Sequence, residues 1–368
     1  MRVPRALGGA LLGLFLATCG STPPAAPAPT SLATAKTSAS TASVPAGKAV
    51  AAGKKVRYGG LRSLNDSGVL IALDQGFFAE QGIDLELVNF STAVDMVAPL
   101  SNGQLETGGG APSAGLWNAV GRGIPVKVVA DLGHADATPP GFAITSFVVR
   151  KPLMDSGKVK TPADLKGLNV VVPPAGNQFE LTLSRILKSG GLSAKDINPV
   201  QLPITETAPA LINGKVDAAA TIEPFTTTVL SQGAGVTLLH DYDVSPNNQA
   251  GVLFFGPDFA KSDQTIPFMT AYLEAVRLYN DAFAKKLPEA RAKVIKSLVA
   301  QTSLKDPPLY EKMSVGKFDP EGQLNMQSLQ DQQEYFVSAA EQQKPVDLNT
   351  VVDMQYAKAA AAKLGAYS

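Results

Sequence analysis

From Val56 onward, short β-branched runs alternate with segments of helical period, a rhythm that predicts parallel βαβ units and an α/β fold. Val56-Arg57-Tyr58-Gly59-Gly60 reads as a first strand. Asn65-Asp66-Ser67 then supply cap residues, and Val69, Leu70, Leu73 and Phe77 fall on one face of a helix that ends at Gly82. Ile83 to Val88 alternates apolar and polar side chains and predicts a second strand. Asp95 to Asn102 predicts a short helix broken by Gly103. Gly108-Gly109-Gly110-Ala111-Pro112-Ser113 predicts a flexible turn into another helix, with Pro112 near its first turn. Val126 to Ala130 and Thr145 to Arg150 are further strands, the latter leading into a second lobe.

The βα rhythm then repeats. Thr161 to Leu165 opens a short helix, Asn169 to Val172 is a strand, and Gly176-Asn177-Gln178 starts the helix Phe179 to Lys188. Val200 to Leu202 and Ala218 to Thr221 are strands, with a helix from Glu206 to Asn213 between them. Ala250 to Phe255 returns the chain to the first lobe. The tail from Ile266 is helical, with Phe268, Tyr272, Ala275, Val276 and Tyr279 on one apolar face.

The first residues follow a different pattern. Arg2 and Arg5 precede an apolar run, Ala6 to Ala17, that is too short to span a bilayer. It closes on Leu16-Ala17-Thr18-Cys19-Gly20, which resembles a lipobox, although Thr18 departs from the usual Gly, Ala or Ser. Cys19 is the only cysteine, so lipidation would leave no thiol for a disulfide. Residues 20 to about 54 are Ala, Pro, Ser and Thr with almost no bulky apolar side chain, and read as a disordered tether. The expected organisation is a signal peptide at 1–18, a lipid-anchored linker at 19–54, a first lobe of 55–146 with 251–368, and a second lobe of 147–250.

Charge narrows the function. Lys plus Arg and Asp plus Glu both number 32, so no basic face for nucleic acid is expected. Two histidines and one cysteine give no zinc or redox site, and no cofactor or metal is expected. Neither a Gly-x-Ser-x-Gly elbow nor a His-Glu-x-x-His pair occurs, which argues against an enzyme.

Four segments stand out: Asp74-Gln75-Gly76-Phe77-Phe78 with Gln81 to Asp84; Leu100 to Glu106 with Pro112-Ser113; Asp164 to Val170; and Asn213 to Ala219 with Glu223-Pro224-Phe225. Together, in this order and spacing, they resemble the periplasmic binding proteins of ABC importers, in the branch that takes nitrate, alkanesulfonates, taurine and thiamine pyrimidine precursors. The resemblance implies a two-lobed periplasmic binding protein (type II) whose βα lobes are joined by two hinge strands and close on a small ligand. Hinges are expected near Ser146 and Ala250. The implied partners are an ABC permease and ATPase, with the chain a monomer held at the membrane by its lipid, outside the cytoplasm. A ligand-loaded sensor subunit would use the same cleft.

In open α/β sheets, ligands sit beyond the carboxyl ends of strands, so the candidate contacts are loop residues. Asn65, Asp66 and Ser67 present either a helix N-terminus to an anion or simply a cap, and Asp66 would sooner face an amine or ring nitrogen. Ser91 and Thr92 offer hydroxyls or a cap. The glycines before Pro112 and Ser113 would let backbone approach a ligand. Trp117 reads as core before ligand platform, and His134 as a satisfied loop histidine. Asn177 and Gln178 can donate and accept, while Phe179 could stack on a ligand or pack beneath its loop. The resemblance also implies a ligand contact at Glu223, where a first-turn carboxylate stabilising its helix is the other reading. Few Arg or Lys lie in these loops. Together with Phe179, Phe225, Phe254 and Phe255 this suits a small organic molecule: an aromatic acid, a sulfonate, or a pyrimidine or vitamin precursor.

Overall fold

The computed structural model describes residues 53–138 and 141–368. The leader, Cys19 and the tether up to residue 52 lie outside these residues. Ten strands run in chain order: β1 (Lys54–Gly60), β2 (Ile83–Asn89), β3 (Thr107–Gly110), β4 (Lys127–Asp131), β5 (Thr145–Arg150), β6 (Asn169–Val172), β7 (Asn198–Gln201), β8 (Ala218–Ile222), β9 (Gly235–His240) and β10 (Val252–Phe255).

They form two five-stranded sheets of matching order, β2-β1-β3-β10-β4 and β7-β6-β8-β5-β9. In the first, β1 runs parallel to β2 and β3, and β10 runs antiparallel to β3 and β4. In the second, β6 runs parallel to β7 and β8, and β5 runs antiparallel to β8 and β9. The chain crosses between sheets over 132–144 and again over 241–251. Each crossing delivers the antiparallel strand of the sheet it enters. The fold is therefore α/β and two-lobed.

Inner strands are buried on both faces, so they read as apolar runs rather than alternating ones; β8 and β10 are buried at every residue. Helices Ser67–Gln75, Thr265–Phe283, Pro288–Gln301 and Gln355–Leu364 pack together on one face of the first sheet. Tyr272 and Val276 of the long helix reach Gly68, where any Cβ would strike the Tyr272 ring, and this sets the close approach of the two helices. Trp117, Leu329 and Phe336 fill the opposite face of that lobe. The second lobe has a core on each face of its sheet, one around Phe147, Leu183 and Ile186 and one around Val148, Leu211 and Val229.

Two expectations change. The triple glycine is not a flexible turn. Gly108, Gly109 and Gly110 form β3, wholly buried between β1 and β10. A Cβ on Gly109 would collide with the Tyr58 hydroxyl and Leu132, and one on Gly110 would lie 2.5 Å from Ala93 Cβ. Glycine is required there by crowding, not by conformational freedom. The helix expected to run to Gly82 breaks at Gly76 (φ +85°), restarts at Phe77–Glu80, and ends before Gly82 (φ +73°).

The second crossing is held by a buried polar network. The Gln249 amide donates to Asp131 Oδ1 at 2.6 Å and to the Gly251 carbonyl at 2.8 Å, and its oxygen accepts the Asn325 N–H at 2.8 Å. Gln332 donates to the Gln249 carbonyl at 2.8 Å. Asp131 Oδ2 accepts from the Asp319 N–H at 2.8 Å and lies 3.1 Å from His134 Nδ1. His134 is thus a bonded loop histidine. Burial lowers its pKa, and the Asp131 carboxylate more than reverses this.

Candidate ligand-binding cleft

The loops that follow β1, β2 and β3 in one lobe meet those that follow β6, β7 and β8 in the other. Between them lies a cleft lined by Leu61, Ser63, Asn65, Asp66, Ser91, Thr92, Val94, Ala111, Ser113, Pro174, Asn177, Phe179, Ile204 and Ile222. The lobes touch across it. Ser113 bridges to Asn177, and the Ala114 N–H donates to the Gly176 carbonyl at 2.7 Å. Apolar side chains of both lobes and of the crossings, Leu61, Ala111, Ile144, Phe179, Ile204, Ile222 and Ala250, form one cluster. The enclosed volume is about 40 Å³, room for a few waters.

The polar groups of the lining follow from local structure. Ser113 caps the helix Ala114–Gly121, its Oγ accepting the Leu116 N–H at 3.2 Å. Asn177 caps Gln178–Ser189, its Oδ1 accepting from the Phe179 N–H at 2.8 Å and the Glu180 N–H at 3.3 Å. Both residues therefore spend their acceptors on the helix and keep donors for the cleft, the Ser113 hydroxyl hydrogen and the Asn177 amide. Among the described residues these donors have no acceptor, nor do the Asn65 amide and the Ser91 hydroxyl. Thr92 differs: its hydroxyl donates to Asp95 at 2.7 Å.

Asp66 lines the cleft, but its oxygens face the scaffold. Oδ1 accepts the Tyr58 hydroxyl at 2.7 Å, and Oδ2 accepts the N–H groups of Leu61 at 3.1 Å and Ser63 at 3.2 Å. Burial pushes its carboxyl up to about 6, against the downward pull of those bonds. It acts as the brace of the first loop rather than a simple helix cap.

Four sequence candidates lie outside this lining. Ser67 is buried, with its hydroxyl on the Leu64 carbonyl at 2.6 Å. Pro112 is buried behind the loop. Gln178 is fully buried, and its Oε1 accepts from Asn248 at 3.0 Å and Thr182 at 3.1 Å, because the helix turns it away from its neighbour Asn177. Glu223 follows Ile222 at the end of β8, and the two side chains part: Ile222 faces the cleft and Glu223 a separate cavity. Phe254 and Phe255 are core residues on opposite faces of the first sheet, and Trp117 is core as well. Phe225 is only half-buried beside the cleft cluster.

Sequence reasoning missed Leu61, Ser63, Ala93, Val94 and Ile204, while Gly109, Gly110 and Ala111 line the cleft within the segment expected to bring backbone to a ligand. The rule that ligands lie past strand carboxyl ends would have found Ile204, had it been applied to the loop after β7 as well. Among the described residues, no group of three His, Cys, Asp or Glu side chains gathers as metal ligands would. None of their helices is long and apolar enough to cross a membrane.

The family model described as NMT1/THI5 like matches residues 63–283, more than half of the chain. The chain belongs to the NMT1/THI5-like family. A "Putative aliphatic sulfonates-binding protein" of Escherichia coli (strain K12) is 34% identical over 112 residues, which cover 30% of this chain and 33% of that relative. The match thus spans about a third of the curated relative's length. The alkanesulfonate-binding protein SsuA from Xanthomonas axonopodis pv. citri, solved bound to MOPS, shares the fold with a TM-score of 0.64 at 20% identity, over 83% of this chain and 100% of that one. The desulfurization enzyme DSZB shares it too, with a TM-score of 0.61 at 14% identity, over 85% of this chain and 100% of that one. The family membership bears out the resemblance read from the four segments.

Proposed function

We propose that the chain is an extracytoplasmic solute-binding lipoprotein of an ABC importer, a monomer tethered through Cys19 that captures a small organic sulfonate or related acid between its lobes and presents it to a permease and ATPase. The observation that carries this reading is the donor set of the cleft. Asn65, Ser91, Ser113 and Asn177 turn hydrogen-bond donors without protein acceptors toward one space, while Leu61, Ile204, Ile222 and Phe179 make the rest of it apolar. Acidic oxygens suit the first group and an alkyl or aryl body the second. The sulfonate-binding relative and the fold neighbour bound to MOPS support the same ligand class. DSZB shares the fold but favours an enzyme only weakly, because the cleft lining holds no cysteine, histidine, arginine or lysine to pair as nucleophile and base.

A volume of about 40 Å³ cannot hold such a ligand, so the lobes must part to admit it, moving over the crossings near Ser146 and Ala250. The test is a thermal-shift screen of alkyl and aryl sulfonates, aromatic carboxylates, nitrate and pyrimidines. A ligand at 100 times its dissociation constant stabilises by about 2.7 kcal/mol. A response to sulfonates or aromatic acids supports the reading, and a response confined to pyrimidines or nitrate overturns the ligand class.

A further inference from the structure

A second, larger cavity of about 710 Å³ opens on the far side of the Ile222-Glu223 peptide. The Glu223 carbonyl accepts the Leu64 N–H at 3.0 Å and closes the wall between cavity and cleft. The second lobe and first crossing supply Phe142, Glu223, Leu230 and His240; the first lobe supplies Tyr310, Met313 and the rim lysines 286 and 312. The volume falls within the usual range for small-molecule sites.

The cavity is polarised along its depth. At its floor is the Glu223 carboxylate, only 5% exposed. Oε1 accepts from the Thr227 hydroxyl at 3.0 Å and the Ser314 N–H at 3.2 Å, while Oε2 accepts only the Thr227 N–H at 3.0 Å, so Oε2 can take a further donor. One wall is flat. His240 stacks on Tyr242 with centroids 5.1 Å apart and planes 26° apart, and Ser146 Oγ lies 3.0 Å from His240 Nδ1 and fixes that ring. At the exposed rim stand Lys286 and Lys312, which make no ion pair among the described residues. Arg291, also at the rim, is neutralised by the Glu311 carboxylate through bonds of 3.0 and 2.8 Å.

We propose that this cavity is a second ligand site, distinct from the cleft, for a flat molecule with an N–H donor at one end and an acidic group at the other. The donor reaches Glu223 Oε2, the ring lies along His240 and Tyr242, and the acid meets the rim lysines. A cation alone would be repelled at the rim, and an anion alone would meet Glu223 at the floor. Because the walls come from both lobes, the site is complete only when they are closed.

The test is calorimetric titration of the mature chain with 4-aminobenzenesulfonate, beside benzenesulfonate (no donor) and aniline (no acid), up to about 10 mM. An alkanesulfonate titration reports separately on the cleft. Leu230 sits 39% exposed at the cavity mouth, so Leu230→Trp crowds the cavity without touching the cleft. The expected result is a saturable 4-aminobenzenesulfonate component, separate from any the cleft shares with benzenesulfonate, that Leu230→Trp weakens and that Glu223→Gln weakens about tenfold, as loss of one charge-assisted bond would. Alkanesulfonate binding by Leu230→Trp should be unchanged, and the variant's melt shows that it is folded. No 4-aminobenzenesulfonate binding sensitive to both Leu230→Trp and Glu223→Gln, or an equally sensitive component with benzenesulfonate, would overturn the proposal, whatever the cleft binds.

Discussion

Asn177 offers a way to separate helix capping from ligand binding in one side chain. Its Oδ1 caps Gln178–Ser189 through two N–H groups, and the residue lines the cleft with no protein acceptor for its amide N–H groups among the described residues. Asn177→Asp keeps a capping oxygen of equal rank at the helix N-terminus and adds a negative charge where the helix dipole favours one. Stability without ligand should hold or rise slightly. The cleft donor, however, becomes a carboxylate oxygen. Against an acidic ligand this removes a charge-assisted bond worth about 1.5–3 kcal/mol. It also sets two negative charges near contact, worth up to about 4 kcal/mol of repulsion at an effective dielectric of 20. Loss of the bond alone predicts at least a tenfold weaker dissociation constant, and both together about a thousandfold or more. Asn177→Ala is the control: it drops the cap as well, lowering stability by about 1 kcal/mol, and weakens binding only by the lost donor. Titration calorimetry with the best sulfonate from the screen, beside apo melts of all three proteins, reads both quantities. If Asn177→Asp bound the sulfonate as tightly as the parent, the donor argument for the cleft would be wrong.

Three further outcomes are expected, two from the structure and one from the proposed lipid anchor. Burial pushes the carboxyls of Asp66 to about 6 and of Glu223 and Asp241 to about 7, while unfolded carboxyls ionise near 4. Between these values the folded chain holds protons the unfolded chain has lost, so stability should fall as pH rises from about 5 to 8, by up to about 3 kcal/mol per group. The raised His134 acts in the same sense; the lowered His240 opposes it below about 6.5, one group against three raised carboxyls, and the lowered Glu106 and Asp136 act only at more acidic pH. Urea unfolding across that range checks it, and greater stability at pH 8 would contradict it. Gln249→Ala strands the Asn325 N–H, while the Gly251 carbonyl keeps the Leu132 N–H and Asp131 Oδ1 keeps the Gly133 N–H, so it should cost about 2–3 kcal/mol, read as a lower urea midpoint at unchanged slope. Cys19→Ser should move the chain from the detergent phase to the aqueous phase on partitioning while its melt is unchanged; retention in the detergent phase would place the anchor elsewhere.

Much of this fold was legible because inner parallel strands are short apolar runs between cap and glycine signals, as at Val170-Val171-Val172 and Ala218 to Ile222. β3 was not legible. Three glycines carry no propensity for a strand, and only the tertiary crowding by Tyr58, Leu132 and Ala93 explains them. β9 (Gly235–His240) also escaped, since its residues are half-buried and carry no clean alternation. In the cleft, the loops after β1, β2, β3 and β6 could be named from strand ends, but side-chain direction could not. Asn177 and Gln178 are neighbours with opposite fates, and so are Ile222 and Glu223. The cap role of Asn177 was hidden inside its candidacy as a ligand residue, because one amide serves both.

The central claim, that an acidic ligand is held between the lobes by the donor set of the cleft, is tested most directly by a crystal structure of the mature chain grown with the tightest-binding sulfonate. The account expects the sulfonate oxygens within hydrogen-bond distance of the Asn65, Ser91, Ser113 and Asn177 donors and the organic part against Leu61, Phe179, Ile204 and Ile222. A sulfonate bound elsewhere, with the cleft closed and empty as tightly as the Ala114–Gly176 bond holds it here, would contradict that claim.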